Sequence, residues 1–210
     1  DIRMEIEDHR GVGMCYTALG RILDTRKEWP EARDFFSKAY EKYVEIGDRH
    51  GEAIALGNLG NAAKAIGDVE LALEMYHKAK EIFQEEGLRR DLAITLANLG
   101  NIQIKLEKLG QAEKLHREAL DIFRKIGYRT GEILPLIGLG NIKIAKGQIN
   151  QSESYYSESL SISRESGNKQ SEAISLNNLG MIYLERGESI TAEGYFRDSV
   201  RLNKQIGIPL

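Results

Sequence analysis

The sequence predicts an all-α fold in which an antiparallel pair of helices is repeated about five times. Three observations predict it. The dipeptide Leu-Gly recurs at Leu19-Gly20, Leu59-Gly60, Leu99-Gly100, Leu139-Gly140 and Leu179-Gly180, a spacing of 40 residues held without insertion or deletion. Within each period the apolar residues step by three and four, as on the face of a helix. Glycine also fills other columns of the same period: Gly47, Gly87, Gly127, Gly167 and Gly207; Gly67, Gly147 and Gly187; Gly11, Gly51 and Gly131. With the Leu-Gly column these hold 16 of the 21 glycines, so glycine here reports repeat architecture and not flexible linkers.

Each period divides into two helices. In the third, Leu92, Leu96, Leu99 and Leu106 share the face of a first helix, and Ala112, Leu115, Ala119, Ile122, Phe123 and Ile126 share that of a second. A turn near Gly67, Lys108 or Gly147 separates them, and the pair ends at the Gly47 column, where glycine suits a left-handed C-cap. Asp68 and Ser189 are expected N-caps of second helices, and Pro30 stands where proline is tolerated at a helix start. Pro135 falls inside a first helix beyond its first turn and is expected to kink it or delay its start. The mid-helix glycine of Leu-Gly costs about 1 kcal/mol against alanine. Close helix approach is the expected compensation, with Ala32, Ala72, Ala112, Ser152 and Ala192 as the small residues facing it.

The repeats run roughly over 9–47, 48–87, 88–127, 128–167 and 168–207, making residues 1–210 a single solenoid. Asp1, Ile2 and Ile6 share columns with Asp121, Ile122 and Ile126, so residues 1–8 read as the remnant of a preceding second helix. Ile208-Pro209-Leu210 stands where another first helix would begin. The chain therefore reads as a fragment of a longer protein with uncapped apolar ends, open to end-to-end self-association.

Composition narrows the function. The chain is 41% hydrophobic and 29% charged, with 29 Lys+Arg against 32 Asp+Glu and a net charge of −3. That excludes a disordered chain and argues against a dedicated binder of nucleic acid or membrane surfaces, which needs a basic excess. No run approaches the roughly 18 apolar residues of a membrane span, and Asp1 to Arg10 is too charged for a signal peptide, so a cytoplasmic protein is expected.

Signals for chemistry are weak, and neither catalysis nor a cofactor is expected. His9, His50, His77 and His116 occupy different columns, none with a second ligand at metal spacing. His116 replaces an aromatic in a packing column and reads as a core histidine. Cys15 shares its column with Ala55, Thr95, Pro135 and Ser175 and reads as a buried, inert thiol. Gly11-Val12-Gly13 lacks the strand and third glycine of a nucleotide loop. Tyr155-Tyr156 and Phe35-Phe36 fall in columns shared with Met75, Leu115, Tyr76 and Phe196, which points to helix packing and not to a platform for bases.

Aligned on the Leu-Gly glycine, each repeat has a large apolar residue four positions earlier (Tyr16, Leu56, Leu96, Leu136, Leu176) and a small one twelve later. An aromatic or similar residue follows at sixteen (Phe36, Tyr76, His116, Tyr156, Phe196), and a small one at nineteen (Ala39, Ala79, Ala119, Ser159, Ser199). This pattern resembles the tetratricopeptide repeat over nearly the whole chain. It departs in its period of 40, where 34 is common, and in lacking the closing proline. Gly51-Glu52-Ala53 with Asn58 to Asn61 looks most like the long-repeat subclass of Pins/LGN-type adaptors and, more distantly, kinesin light chains. The resemblance implies a right-handed superhelical solenoid whose first helices line a concave surface.

On a helical wheel the first helices carry a second stripe, opposite the Leu-Gly face. It reads Met14, Ala18, Arg21, Thr25; Ile54, Asn58, Asn61, Ala65; Ile94, Asn98, Asn101, Lys105; Leu134, Gly138, Asn141, Ala145; and Ile174, Asn178, Met181, Glu185. The resemblance puts this stripe on the concave side, as an apolar rail beside an asparagine ladder. An amide both donates and accepts, which suits Asn58, Asn61, Asn98, Asn101, Asn141 and Asn178 to the backbone of an extended peptide. The plain alternative is that these amides bond between neighbouring helices or face water. Arg21, Lys64 and Lys105 on or beside the stripe favour an acidic partner. The expected function is a non-catalytic protein-interaction scaffold, with a ligand-sensing or autoinhibitory segment of a larger signalling or transcription regulator as the alternative.

Overall fold

The computed structural model describes residues 2–207, with side chains from His9 onward. These residues form ten α-helices and one 3-10 turn, with no strand among them. In order they are α1 (Ile2–Thr25), α2 (Trp29–Glu45), α3 (Arg49–Ile66), α4 (Val69–Glu85) and α5 (Arg89–Lys105). Then come α6 (Leu109–Lys125), the 3-10 turn Arg129–Glu132, α7 (Ile133–Ala145), α8 (Ile149–Glu165), α9 (Lys169–Glu185) and α10 (Ser189–Gln205). Consecutive helices pack as pairs, as the spacing predicts: α1 on α2, α3 on α4, α7 on α8 and α9 on α10. Two compact units divide inside α5, one covering Asp1–Ile102 and the other Gln103–Leu210.

Local chemistry sets the boundaries. Asp48, Asp68 and Asn168 cap α3, α4 and α9, their side chains accepting from the backbone N–H three residues on at 3.0, 3.0 and 3.1 Å. Ser189 is not a cap. It is the first residue of α10, and Glu188 before it makes no side-chain cap bond. The expected delay at Pro135 is present: a 3-10 turn occupies 129–132 and α7 begins only at Ile133, which leaves proline in the first turn, where its missing N–H costs nothing. The turn between paired helices needs a left-handed residue. Gly67 supplies it at φ 93°, and where the column lacks glycine Lys27 (φ 63°) and Glu107 (φ 58°) adopt the same conformation.

Helix α1 runs unbroken through the place where the column alignment ends one helix and starts another. The reason is visible in the sequence: Glu7 stands where Gly47, Gly87, Gly127, Gly167 and Gly207 stop the other helices. The side chains of Ile2 and Ile6, and all of Asp1 and Ile208-Pro209-Leu210, lie outside the described residues.

The cores follow from the Leu-Gly face. In the first unit Phe36 packs with Ala32, Ala53, Leu56 and Leu59, and in the second Tyr156 and Leu160 pack with Leu176, Leu179 and Ile182. The mid-helix glycine is explained by the ring sixteen residues later, more than by the small residue twelve later. A Cβ at Gly60 would stand 2.7 Å from Tyr76 Cε1, and Gly20, Gly140 and Gly180 meet Phe36, Tyr156 and Phe196 in the same way. The small column adds one polar tie, Ser152 Oγ donating to Gly140 O at 2.9 Å.

Cys15 is exposed, against the expectation of a buried thiol. Its column mates are buried because each faces the second helix of the repeat before it: Ala55 packs with Ala39 and Tyr43, and Ser175 bonds Ser159 at 2.9 Å. No such helix faces Cys15 among the described residues.

Candidate functional site

The first helices place the predicted stripe at the surface. Met14, Ile54, Ile94, Leu134 and Ile174, one per repeat, are 37–61% exposed although each sits in a helix whose opposite face is core. Burial would stabilise each such side chain by about 1.5–3 kcal/mol, so exposure of the whole column is a regular feature of the repeat and not a scatter of single surface residues.

In the first unit, Arg21, Asp24, Asn58 and Asn61 line a depression of about 510 Å³ floored by Phe36. A narrower one of about 190 Å³ is bounded by Ile54, Asn58, Asn61, Ile94 and Asn98. In the second unit, Asn141 and Asn178 flank a depression of about 550 Å³ whose walls are Ile144, Tyr156, Met181 and Leu184, with Glu185 at its rim.

The asparagines divide into two kinds. Asn61 and Asn141 are partly committed inside the fold: Tyr76 and Tyr156 donate their hydroxyls to the amide oxygens, each at 2.6 Å. Burial pushes Tyr156 up to about 12 and Tyr76 higher still, so both remain protonated donors. With one lone pair of the oxygen taken, the amide keeps its two N–H donors and a second lone pair for further partners, and its orientation is fixed by the tyrosine. Asn98 is buried and accepts from Lys64 Nζ at 3.0 Å, so two residues expected to reach outward hold each other. Lys64 also lies over the Tyr76 ring, 5.9 Å from its centroid. Asn58 and Asn178 are half-buried, as is Asn101, while Arg21 and Lys105 are exposed.

Sequence reasoning missed the ion pairs between second and first helices. Glu113 of α6 accepts from Lys143 of α7 at 2.9 Å, from Lys146 at 2.5 Å and from Arg117 at 2.9 Å. The three cations, Lys146 foremost, hold its carboxyl down at about 2. One repeat later Glu153 accepts from Tyr183 and Arg186, both at 2.6 Å. The signal was present: a glutamate followed 30 residues on by Lys or Tyr and 33 on by Lys or Arg. These contacts fix one helix pair on the next.

His116 is fully buried, as its column implies, and neither ring nitrogen has a hydrogen-bond partner. Burial pushes its pKa down to about 4. The ring occupies the space where a Cβ at Gly138 would stand, which is why this repeat has glycine in the column of Asn58, Asn98 and Asn178. Among the described residues no group of three or more His, Cys, Asp or Glu could hold a metal ion, and no helix is long and apolar enough to cross a membrane.

Solved structures share the fold of this chain. A solved Rap protein complexed with Competence and Sporulation Factor superposes with a TM-score of 0.81 at 17% identity, over 90% of this chain and 53% of that one. Aspartyl phosphate phosphatase F from Bacillus subtilis gives 0.79 at 16% identity, over 98% and 55%. A putative kinesin light chain from Podosopora anserina with nearly identical TPR-like repeats gives 0.70 at 15%, over 96% and 99%. This chain thus spans about half the length of the first two, and identities this low establish a shared fold alone. No curated protein sequence matches. The sequence model of the tetratricopeptide repeat matches residues 47–125 and 132–205, which shows that this chain of ten described helices belongs to the tetratricopeptide-repeat family.

Proposed function

We propose that the first-helix face holds an extended peptide or a helix of a partner protein and that the chain is a non-catalytic interaction scaffold. The observation that carries this reading is the exposed apolar series Met14, Ile54, Ile94, Leu134 and Ile174, set beside amides whose orientation the fold fixes. In the second unit the apolar depression suits a bulky aliphatic or aromatic side chain, and the N–H groups of Asn141 suit a main-chain carbonyl beside it. Pre-oriented donors lower the ordering cost of binding. Arg21 and Lys105, both exposed, favour an acidic segment where it passes them. A Rap protein of the same fold is described as complexed with Competence and Sporulation Factor, which supports a binding role for a chain of this fold and not a particular ligand or face.

A displayed random peptide library panned against the chain tests the reading, followed by calorimetric titration of the selected peptides. The expected result is saturable binding that Ile54→Asp with Ile94→Asp weakens at least tenfold in peptides seated on the first unit, and Met181→Asp likewise for the second. Selected peptides whose affinity is indifferent to all three substitutions would overturn it, as would a library that yields none.

A further inference from the structure

We propose that the depression between α3 and α5 in the first unit takes the side chain of a basic residue, arginine above lysine, with Asp91 as its counter-ion. The proposal rests on the reading that the first-helix face holds a peptide, and it adds what that peptide carries.

Asp91 is an acid without a counterpart in its column, where the other repeats have Gly11, Gly51, Gly131 and Ser171. Other acids of the first unit are engaged inside the fold. Asp48 and Asp68 cap α3 and α4, Glu52 and Glu85 pair with Arg49, and Glu74 pairs with Lys78. Asp91 forms no ion pair among the described residues, and Thr95 Oγ donates to its main-chain oxygen at 2.9 Å and not to its carboxylate. Arg90 and Arg89, one and two residues earlier, are exposed and stand about 100° and 200° away around the helix. An acid in the first turn complements the helix dipole wherever it stands. This one also lines a depression.

That depression holds about 190 Å³, with Ile54 and Ile94 as apolar walls, each 37% exposed, and Asn58 and Asn98 beside Asp91. It is smaller than the roughly 300–1,000 Å³ of a small-molecule site and suits a single side chain. Asn98 points to the same occupant. It is only 8% exposed, and its oxygen accepts from Lys64 Nζ at 3.0 Å, which leaves its N–H groups unbonded at the wall of the depression. A polar group so nearly buried normally has a partner. The main-chain carbonyl of the entering residue supplies an acceptor for it. The isoleucines then cover the aliphatic stem of that residue while Asp91 receives its charge. A guanidinium meets a carboxylate with two parallel bonds and keeps further N–H groups for the oxygen of the half-buried Asn58, which an ammonium does less well. Lys64 does not compete, because Asn98 lies seven residues beyond Asp91, about 10 Å along α5. Between apolar walls the pair is screened less than one on the open surface.

A displayed random peptide library panned against the chain supplies the probes, and the paired substitution Ile54→Asp with Ile94→Asp identifies those seated on the first unit. Calorimetric titration of these peptides against the wild-type chain, Asp91→Asn and Glu81→Gln reads the contact, and far-UV circular dichroism checks that the helices persist. The first-unit peptides are expected to share an arginine or lysine at one position. Asp91→Asn is expected to weaken them at least tenfold, replacement of that basic residue by glutamine to do the same, and both changes together to cost little more than either. Glu81, an exposed acid of α4 outside the depression, is the control, and Glu81→Gln is expected to leave affinity unchanged. First-unit peptides without a shared basic position, an affinity indifferent to Asp91→Asn, or an equal loss in Glu81→Gln would overturn this proposal and leave peptide binding standing. A library that yields no first-unit peptide would overturn both.

Discussion

The hydroxyl of Tyr76 donates to the amide oxygen of Asn61 at 2.6 Å, and Tyr156 repeats the contact with Asn141 two repeats later. In the two repeats with tyrosine sixteen positions from the Leu-Gly glycine, the residue after that glycine is the asparagine it binds, while the third repeat has Asn101 with His116 in the ring column. Where the ring is tyrosine the fold supplies an asparagine, and where it is Phe36 or Phe196 the corresponding residue is Arg21 or Met181. Part of the asparagine ladder is therefore a packing device that also fixes the orientation of the amide. Tyr76→Phe is expected to cost about 0.5–1.5 kcal/mol, the net worth of a hydrogen bond. In a double-mutant cycle with Asn61→Ala, urea unfolding should show coupling of that order, and additive effects would mean that the bond contributes nothing.

Gly60 lies under the Tyr76 ring, so a side chain there has no room. Gly60→Leu is expected to destabilise by about 1–3 kcal/mol through overpacking, beyond any gain in helix propensity. Gly194 in α10 is the control, since a Cβ there meets nothing within 4 Å. Gly194→Ala should stabilise by up to about 1 kcal/mol. Thermal melting of the two variants in opposite directions is the expected outcome, and a common direction would sink the packing account.

Lys27 and Glu107 take a left-handed backbone that glycine adopts at the same place in the other repeats. A side chain pays roughly 1–2 kcal/mol there, offset in part by the extra unfolded-state entropy of glycine. Lys27→Gly and Glu107→Gly are each expected to raise stability by about 0.5–1 kcal/mol. Denaturant midpoints that fall in both variants would show that their side chains hold the turn instead.

The fold was legible because its determinants are local and periodic. The glycine columns and the three-four apolar steps of Leu92, Leu96 and Leu99 report on one chain segment at a time, and the repeat multiplies the signal five times. The exposed rail of Ile54 and its column mates was legible for the same reason. What escaped was anything set by a partner on another helix. Asn98 looks identical to Asn58 in the sequence, yet Lys64, 34 residues away, occupies one and not the other. Cys15 shares a small-residue column, but burial there requires a helix in front of it. Lys143 looks like a surface lysine and is buried because Glu113, 30 residues earlier, neutralises it.

His116 ties the acid stability of the fold to one ring. Burial lowers its pKa to about 4 from an ordinary 6.5, so the unfolded chain binds its proton first. Stability from this group is whole above pH 6.5 and declines as the pH falls toward 4, at a slope approaching about 1.4 kcal/mol per pH unit. His116→Phe restores the residue type of Phe36 and Phe196 and is expected to flatten that part of the profile. Chemical denaturation at a series of pH values from 7.5 to 4 reads the slope. An unchanged slope in the variant would assign the loss to other groups.

The Glu113 cluster predicts an asymmetry between its partners. Its carboxyl, held at about 2, contributes stability that is complete above about pH 4.5 and lost as the pH falls toward 2. Lys143, 7% exposed at its side chain, relies on that carboxylate, whereas Glu113 also has Lys146 and Arg117. Removing the acid therefore strands a buried cation, while removing Lys143 leaves a carboxylate still paired twice. Glu113→Gln is expected to cost about 3 kcal/mol and Lys143→Met about 1 kcal/mol or less, since an apolar side chain of similar length fills the site without a charge. Urea unfolding at pH 7 measures both. If Lys143→Met proved the more damaging, the buried ammonium itself, and not its burial cost, would be what fastens α7 to α6.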